Sequence, residues 1–332
     1  MCAPMDREEF CRQSDVLVVA GKGGVGKTTV TAALARLAAD CGLSVLVVGL
    51  DDAGALPALF GVEASFGYDE VQLLATGEGE VRARVLTPDD ALLEYLMDHG
   101  LRRVAKRLVS TGVLDVVATA IPGIREILVL GKVKQLEREK VADLLLLDAP
   151  ATGHAVRFLT SANGLLDAAR GGPLRSQAAD VVEMLHDPSR CQVLLVTLPE
   201  ETPVNELIET AYRFEDEVGV MLGPVVVNGC YPPLPHLDAD PADLAHTAGD
   251  QALSAVESAR LMAAAAFRRH RQVGQESQVA RIADELPLPQ LRLPYVFSSE
   301  IGPGEIELLT HALGTAIDDL SPELPVTRAS AS

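Results

Sequence analysis

The sequence predicts an α/β fold built on a doubly wound, mostly parallel sheet, and three observations carry that expectation. Apolar runs of strand length recur from residue 16 to residue 293 with helical stretches between them, as one continuous βαβ series would give. The run Val16-Leu17-Val18-Val19-Ala20 passes through the glycine-rich loop Gly21-Lys22-Gly23-Gly24-Val25-Gly26-Lys27-Thr28-Thr29 into a helical pattern from Val30 to Ala39. Two further runs, Leu43 to Leu50 and Asp143 to Leu147, end in the carboxylates Asp51-Asp52 and Asp148. In a parallel sheet such strand ends lie at the ligand crevice.

Along the chain, residues 1–14 are mixed and polar and read as a loosely held lead-in to a single domain over 15–320. After the second strand, Ala53 to Gly61 reads as a short turn of helix, and Val81 to Leu86 as an edge or third strand. From Thr87 to Lys140 the pattern turns helical. Thr87 is an N-cap ahead of Pro88 at the first helical position, and Leu93, Met97, Val104 and Leu108 recur at helical spacing. A second helix starts in Ile121-Pro122-Gly123-Ile124-Arg125-Glu126 and runs through Val133 and Leu136. Together these form an inserted helical subdomain, about 87–140 and 160–188, which either handles a client or partner or simply packs against the sheet.

Asp143 to Asp148 is a strand, and Ala149 to Leu159 leads through a loop able to rearrange into the next helix. Val225 to Asn228 closes another strand, and Tyr231 to Asp243 is a proline-rich acidic loop. His236, Asp238, Asp240 and His246 are of metal-ligating type, but a solvated loop and a helix N-cap account for them without a metal. Asp250 to Arg271 is an Ala-rich helix, Leu291 to Tyr295 the last strand and its exit, Glu305 to Leu320 a closing helix, and 321–332 a frayed tail.

Composition narrows the function. No apolar run approaches a membrane span and no signal peptide is evident, which makes the cytoplasm the expected compartment. The five cysteines (Cys2, Cys11, Cys41, Cys191, Cys230) contain no C-x-x-C pair, so reduced thiols are expected rather than a disulfide framework or a zinc knuckle. A formal net charge of −19 works against a nucleic-acid partner, and with Trp absent little is left for base stacking. Two basic clusters, Arg102-Arg103 with Lys106-Arg107 and Arg268-Arg269 with Arg271, read as solvated helix faces.

The glycine loop matches G-x-x-x-x-G-K-[ST] completely and sits between strand and helix, the context of a phosphate-binding P-loop. The backbone amides from Gly23, Gly24, Val25 and Gly26 to Thr29 would face a polyphosphate and the helix would add its positive end. Lys27 would reach the β- and γ-phosphates and Thr28 would ligate Mg²⁺. Asp148 reads as the Walker B carboxylate that holds the Mg²⁺ shell or the attacking water. The fold is therefore expected to be of P-loop NTPase type. Lys22, a second cation inside the loop, resembles the signature lysine of the "deviant" Walker A ATPases, in which each of two facing protomers lends this lysine to the other's nucleotide.

The run from Asp148 to Leu159 is similar to the switch II signature D-T-A-P-T-G-H-T-x-R-F-L of the ArsA family, the arsenite-pump and tail-anchored-protein-targeting ATPases. Ala149-Pro150-Ala151 replaces Thr-Ala-Pro, and the spacing from Asp148 to His154 is kept. Asp51 to Phe60 has the length of the family's switch I, with the Pro, His and Asn of that motif replaced. Pro122 to Glu126 resembles its P-G-x-x-E helix start, and Thr197-Leu198-Pro199-Glu200 with Pro203, Val204 and Glu206 its T-x-P-E-x-x-P-V-x-E segment. The resemblance covers most of residues 15–320. It implies ATP as the nucleotide, Asp51 as the residue that orients or deprotonates the attacking water, Asn228 as an adenine reader, and Pro294 and Tyr295 as one side of the base pocket. Arg170-Gly171-Gly172-Pro173 resembles a branch of actinobacterial ArsA-like ATPases encoded as neighbouring pairs, which implies a homodimer or a heterodimer with a paralogue.

Two functions follow from these readings: a dimeric Mg-dependent ATPase that moves its switch loops for a client, or a nucleotide-gated binding module with little turnover. The client is not legible. Residues 60–190 contain no Cys, whereas the family's arsenite pumps use a cysteine triad in their helical insert, so arsenite is expected to leave ATP turnover unchanged. Marked stimulation in a phosphate-release assay would refute that.

Overall fold

A computed structural model describes residues 5–50, 55–64, 67–98, 123–168, 171–249 and 253–320. The chain opens with α1 (Arg7–Cys11) and enters β1 (Val16–Gly21), buried along its whole length. The glycine loop leads into α2 (Lys27–Asp40), then come β2 (Ser44–Gly49) and one turn of helix, α3 (Leu56–Leu59). A hairpin, β3 (Val71–Ala75) and β4 (Glu80–Val85), precedes α4 (Pro88–Asp98). Thr87 caps α4 as expected, its Oγ1 accepting the Asp90 N–H at 3.2 Å. Next are α5 (Ile124–Arg138), β5 (Leu144–Ala151), α6 (Thr152–Ala168), α7 (Pro173–His186) and β6 (Cys191–Thr197). α8 (Glu201–Arg213) runs into a π-turn at Phe214–Val218, followed by β7 (Met221–Leu222) and β8 (Val225–Cys230). The chain closes with α9 (Pro241–Ala248), α10 (Ala255–Glu285), β9 (Gln290–Pro294) and α11 (Pro303–Asp318).

The strands form one sheet in the order β3-β4-β2-β5-β1-β6-β8-β9, with β7 beside the start of β6. Every pairing is parallel except β3 with β4. Both faces are covered, so the strands carry uninterrupted apolar runs whose side chains alternate between two cores. Val16, Val18 and Ala20 join Leu145, Leu147, Val193 and Leu195 beneath α5, α6, α7 and α8. Leu17 and Val19 join Val45, Val47, Leu144, Leu146 and Val196 beneath α1, α2 and α11. The result is three layers, helix on sheet on helix. The chain order reverses around β1, whose neighbours are β5 and β6, and the crevice at that reversal is where the glycine loop lies.

Four expectations change. The edge of the sheet is β3 and not the Val81–Leu86 run, because β3 pairs antiparallel outside β4. Of its five residues only Leu73 is buried, so it shows no alternation to read. No loop separates strand from helix at switch II: β5 continues to Ala151, paired with Gly21, and α6 begins at the next residue. The Ala-rich helix starts later and runs further than Asp250–Arg271. Ser254 and Glu257 form a reciprocal capping box at its start, and Gln275, Val279 and Ile282 supply the buried face that carries it to Glu285. The loose lead-in of residues 1–14 is, from Arg7 on, a docked helix: Phe10 and Cys11 are buried against α2 and α11, and Arg7 Nε donates to Asp318 Oδ1 at 2.9 Å.

Within the described residues, α4 to α7 bury their apolar faces in the same core as the sheet, through Ala91, Ile127, Leu130, Val156, Leu159 and Val181. Asp51, Asp52, Val104, Leu108, Ile121, Pro122, Arg170, the Arg102–Arg107 cluster and the 321–332 tail lie outside the described residues. Asp240 is the N-cap of α9, its carboxylate accepting the Ala242 N–H at 2.8 Å. No described helix is long and apolar enough to cross a membrane.

Candidate nucleotide site

The loop is shaped by Gly26, the N-cap of α2, which sits at φ 90 in the left-handed region. A side chain there would also collide with Asn228, whose Nδ2 lies 2.4 Å from where a Cβ would be. The chain thus turns straight from β1 into α2, and the first N–H groups of a 14-residue helix face the loop with their partial positive charge. Lys27 is the first residue of that helix, and its Nζ donates to the Lys22 carbonyl at 3.3 Å, which keeps the ammonium over the loop.

Thr28 Oγ1 donates to Asp148 Oδ2 at 2.7 Å. The carboxylate arrives on β5, beside β1, with Asp148 in register with Val19, so strand pairing alone delivers it to the loop. Among the described residues no three His, Cys, Asp or Glu side chains converge on a metal-sized site. One hydroxyl and one carboxylate are the donor set of a hard cation that takes its other ligands from substrate phosphate and water, and in that respect the residues fit Mg²⁺.

Lys22 is paired elsewhere. Its Nζ lies 2.6 Å from Glu206 Oε1 on α8, with the two side chains 35% and 42% exposed. α8 follows β6, the other neighbour of β1, and buries Val204, Leu207 and Ile208, which leaves Glu206 at the rim. Sequence reading missed this contact, since the two residues are 184 positions apart. The only signal was the position of Glu206 in the segment that resembles T-x-P-E-x-x-P-V-x-E.

Asn228, on β8, is tied to the loop by its Nδ2, which donates to the Val25 carbonyl at 2.9 Å. Pro294 ends β9 opposite Cys230, and the Tyr295 N–H donates to the Cys230 carbonyl at 2.8 Å. The Tyr295 ring stands edge-on to Tyr231 with centroids 5.2 Å apart. The three expected base-pocket residues therefore occupy the ends of two adjacent strands. A cavity of about 360 Å³ opens beside Pro294, lined by Tyr231, Gln275 and Arg292, and includes no residue of the phosphate loop. Burial pushes the Cys230 thiol up to about 11, with Arg292 pulling the other way, so it is protonated at neutral pH. Asp51 falls outside the described residues, and the structure does not describe its place in this crevice.

A glycine loop wound onto a helix N-terminus, at the reversal point of a parallel sheet and with a strand-borne carboxylate on its threonine, defines a P-loop nucleoside triphosphatase. The family model described as "Anion-transporting ATPase" matches residues 14–168. ATPase BagA of Mycobacterium tuberculosis (strain ATCC 25618 / H37Rv) is 32% identical over 319 residues, which cover 89% of this chain and 91% of that one. The arsenical pump-driving ATPase of Escherichia coli is 30% identical over 192 residues, 58% of this chain and 30% of that protein. ATPase get3 of Schizosaccharomyces japonicus is 32% identical over 143 residues, 43% of this chain and 42% of that protein. The chain belongs to the ArsA family of ATPases.

Proposed function

We propose that the chain is a Mg-dependent ATPase that works as a dimer, with itself or with an ArsA-like paralogue, and uses its switch segments to act on a client. The observation that carries this reading is the Thr28–Asp148 hydrogen bond, which unites the P-loop hydroxyl and the β5 carboxylate across 120 positions of sequence. Thr28 and Asp148 would hold Mg²⁺, which when bound offsets the charge of the substrate phosphates. Lys27 and the amides from Gly23 to Thr29 bind the triphosphate, and Asn228, Pro294 and Tyr295 flank the adenine. Asp51 orients the attacking water. Lys22 neutralises charge on the partner's triphosphate, where a cation opposite the transferred group lowers the barrier.

The Glu206 pair gives Lys22 a resting place within its own protomer. A half-exposed ion pair of this kind contributes up to ~1 kcal/mol, so a Glu206→Gln variant that frees the lysine should raise ATP turnover by at most about five-fold. Lys22→Ala should lower turnover by at least ~100-fold, as loss of a transition-state cation does. Both are read from Mg-dependent phosphate release by purified protein. Unchanged turnover in Lys22→Ala would remove the lysine from the mechanism, and a fall in Glu206→Gln would make Glu206 a guide for it rather than a restraint. Tight ATP binding with no turnover in the wild type would instead make the chain a nucleotide-gated binding module, a reading that the restrained lysine also suits.

A further inference from the structure

The loop between β1 and α2 is braced by a side chain from β8, two strands away across β6. Asn228 Nδ2 donates to the Val25 carbonyl at 2.9 Å over 203 positions of sequence, and a Cβ on Gly26 would lie 2.4 Å from the same nitrogen. The amide therefore fills the space that glycine leaves open at φ 90 and holds the peptide unit that joins Val25 to Gly26.

Both ends of this brace are fixed. Asn228 stands where the pairing of β8 with β9 slips register, between Val227 and Cys230, with Gly229 at φ 75. Such a bulge re-aims a side chain at the cost of ladder hydrogen bonds. Gln275, 7% exposed on α10, supplies replacements: its Oε1 accepts the Tyr231 N–H at 2.8 Å and its Nε2 donates to the Gly229 carbonyl at 3.1 Å. At the other end Val25 is buried in the core beneath α2, so it is held by its side chain as well as by its carbonyl. A trans peptide is planar, with C=O and N–H on opposite sides. With the Val25 carbonyl drawn to Asn228, the Gly26 N–H is turned the other way.

We propose that Asn228 is a positioning residue for the phosphate loop as well as a neighbour of the base: by holding the Val25 carbonyl back, its amide aims the Gly26 N–H at the triphosphate. Donors stabilise developing charge best when they are aimed before it appears. An asparagine suits both tasks, because one N–H spent on Val25 leaves Oδ1 to accept from an amino group on the base. Base recognition and loop geometry then share one side chain. The proposal rests on the triphosphate reading above and deepens it.

The test uses inorganic tripolyphosphate, which offers the loop phosphates without a base. Its Mg²⁺-dependent binding to the full-length protein is measured by calorimetry, and ATP turnover by phosphate release. Asn228→Ala is expected to bind tripolyphosphate at least ~10-fold more weakly and to lose at least ~10-fold in kcat at saturating ATP, as removal of a preorganising hydrogen bond does. Asn228→Thr, a strand former whose shorter side chain cannot span the gap, is expected to show the same two losses should the alanine variant fail to fold. Tyr295→Ala is the contrast: that side chain is 45% exposed and packs on Tyr231 and Phe297, so its loss should weaken ATP and leave tripolyphosphate binding unchanged. A contact with the base alone, equal in ground and transition states, would raise KM and spare kcat. Asn228 variants that raise KM only and bind tripolyphosphate as the wild type does overturn the proposal. A wild type that binds neither ATP nor tripolyphosphate is a different result, and it removes the triphosphate reading together with the proposal.

Discussion

ATP turnover in a Lys27→Ala variant is expected to fall by at least ~100-fold, the loss typical when a preorganised donor is removed from where charge develops. Lys27 opens α2 and its ammonium lies over the loop carbonyl of Lys22 rather than in either core. Alanine is the best helix former, so α2 survives the change and the loss falls on chemistry rather than on folding. Steady-state phosphate release at saturating ATP and Mg²⁺, with a urea titration of both proteins, separates the two. Equal turnover with an equal midpoint would mean that the glycine loop does not hold a triphosphate in the proposed way.

The largest effect on stability is expected at Glu137. Its carboxylate, 6% exposed at the end of α5, receives both arms of the Arg190 guanidinium, Nε to Oε1 at 2.8 Å and Nη2 to Oε2 at 2.7 Å. Arg190 stands immediately before β6, so this fork ties the helical layer to the central sheet. Glu137→Ala leaves a largely buried guanidinium without its partner, and breaking such a pair from one side costs about 3–5 kcal/mol. Replacing both residues, as Glu137→Leu with Arg190→Met, removes the stranded charge and should cost clearly less. The comparison is read from urea midpoints at constant slope. A loss below ~1 kcal/mol in the single variant would show that water reaches the guanidinium and the pair counts as a surface one.

What could be read from the sequence was what depends on neighbours along the chain. The P-loop is a local pattern, because glycine at positive φ, the helix start and the threonine all fall within nine residues. Asp148 was legible because it closes the apolar run of its strand, although the strand itself goes on to Ala151. The start of α10 was also written in the sequence, as Ser254 and Glu257, but an Ala-rich stretch draws attention away from a three-residue spacing. β3 was not legible, since a bulged edge strand with a single buried residue has no period. Nor was the extension of β5 to Ala151, where Pro150 argues locally for a break and the pairing with Gly21 overrides it. The Lys22–Glu206 pair depends on the order in which β1 and β6 are laid side by side, and nothing local encodes that order.

The direct junction of β5 with α6 has a mechanical consequence. A connecting loop would absorb a small displacement by rotating a few backbone bonds, and here no such slack exists between Ala151 and Thr152. A shift of the end of β5, from Asp148 to Ala151, is passed directly to the first turn of α6. Because α6 packs against both α5 and α7, a sub-ångström movement at the phosphate end would be felt as a repacking of the whole helical face.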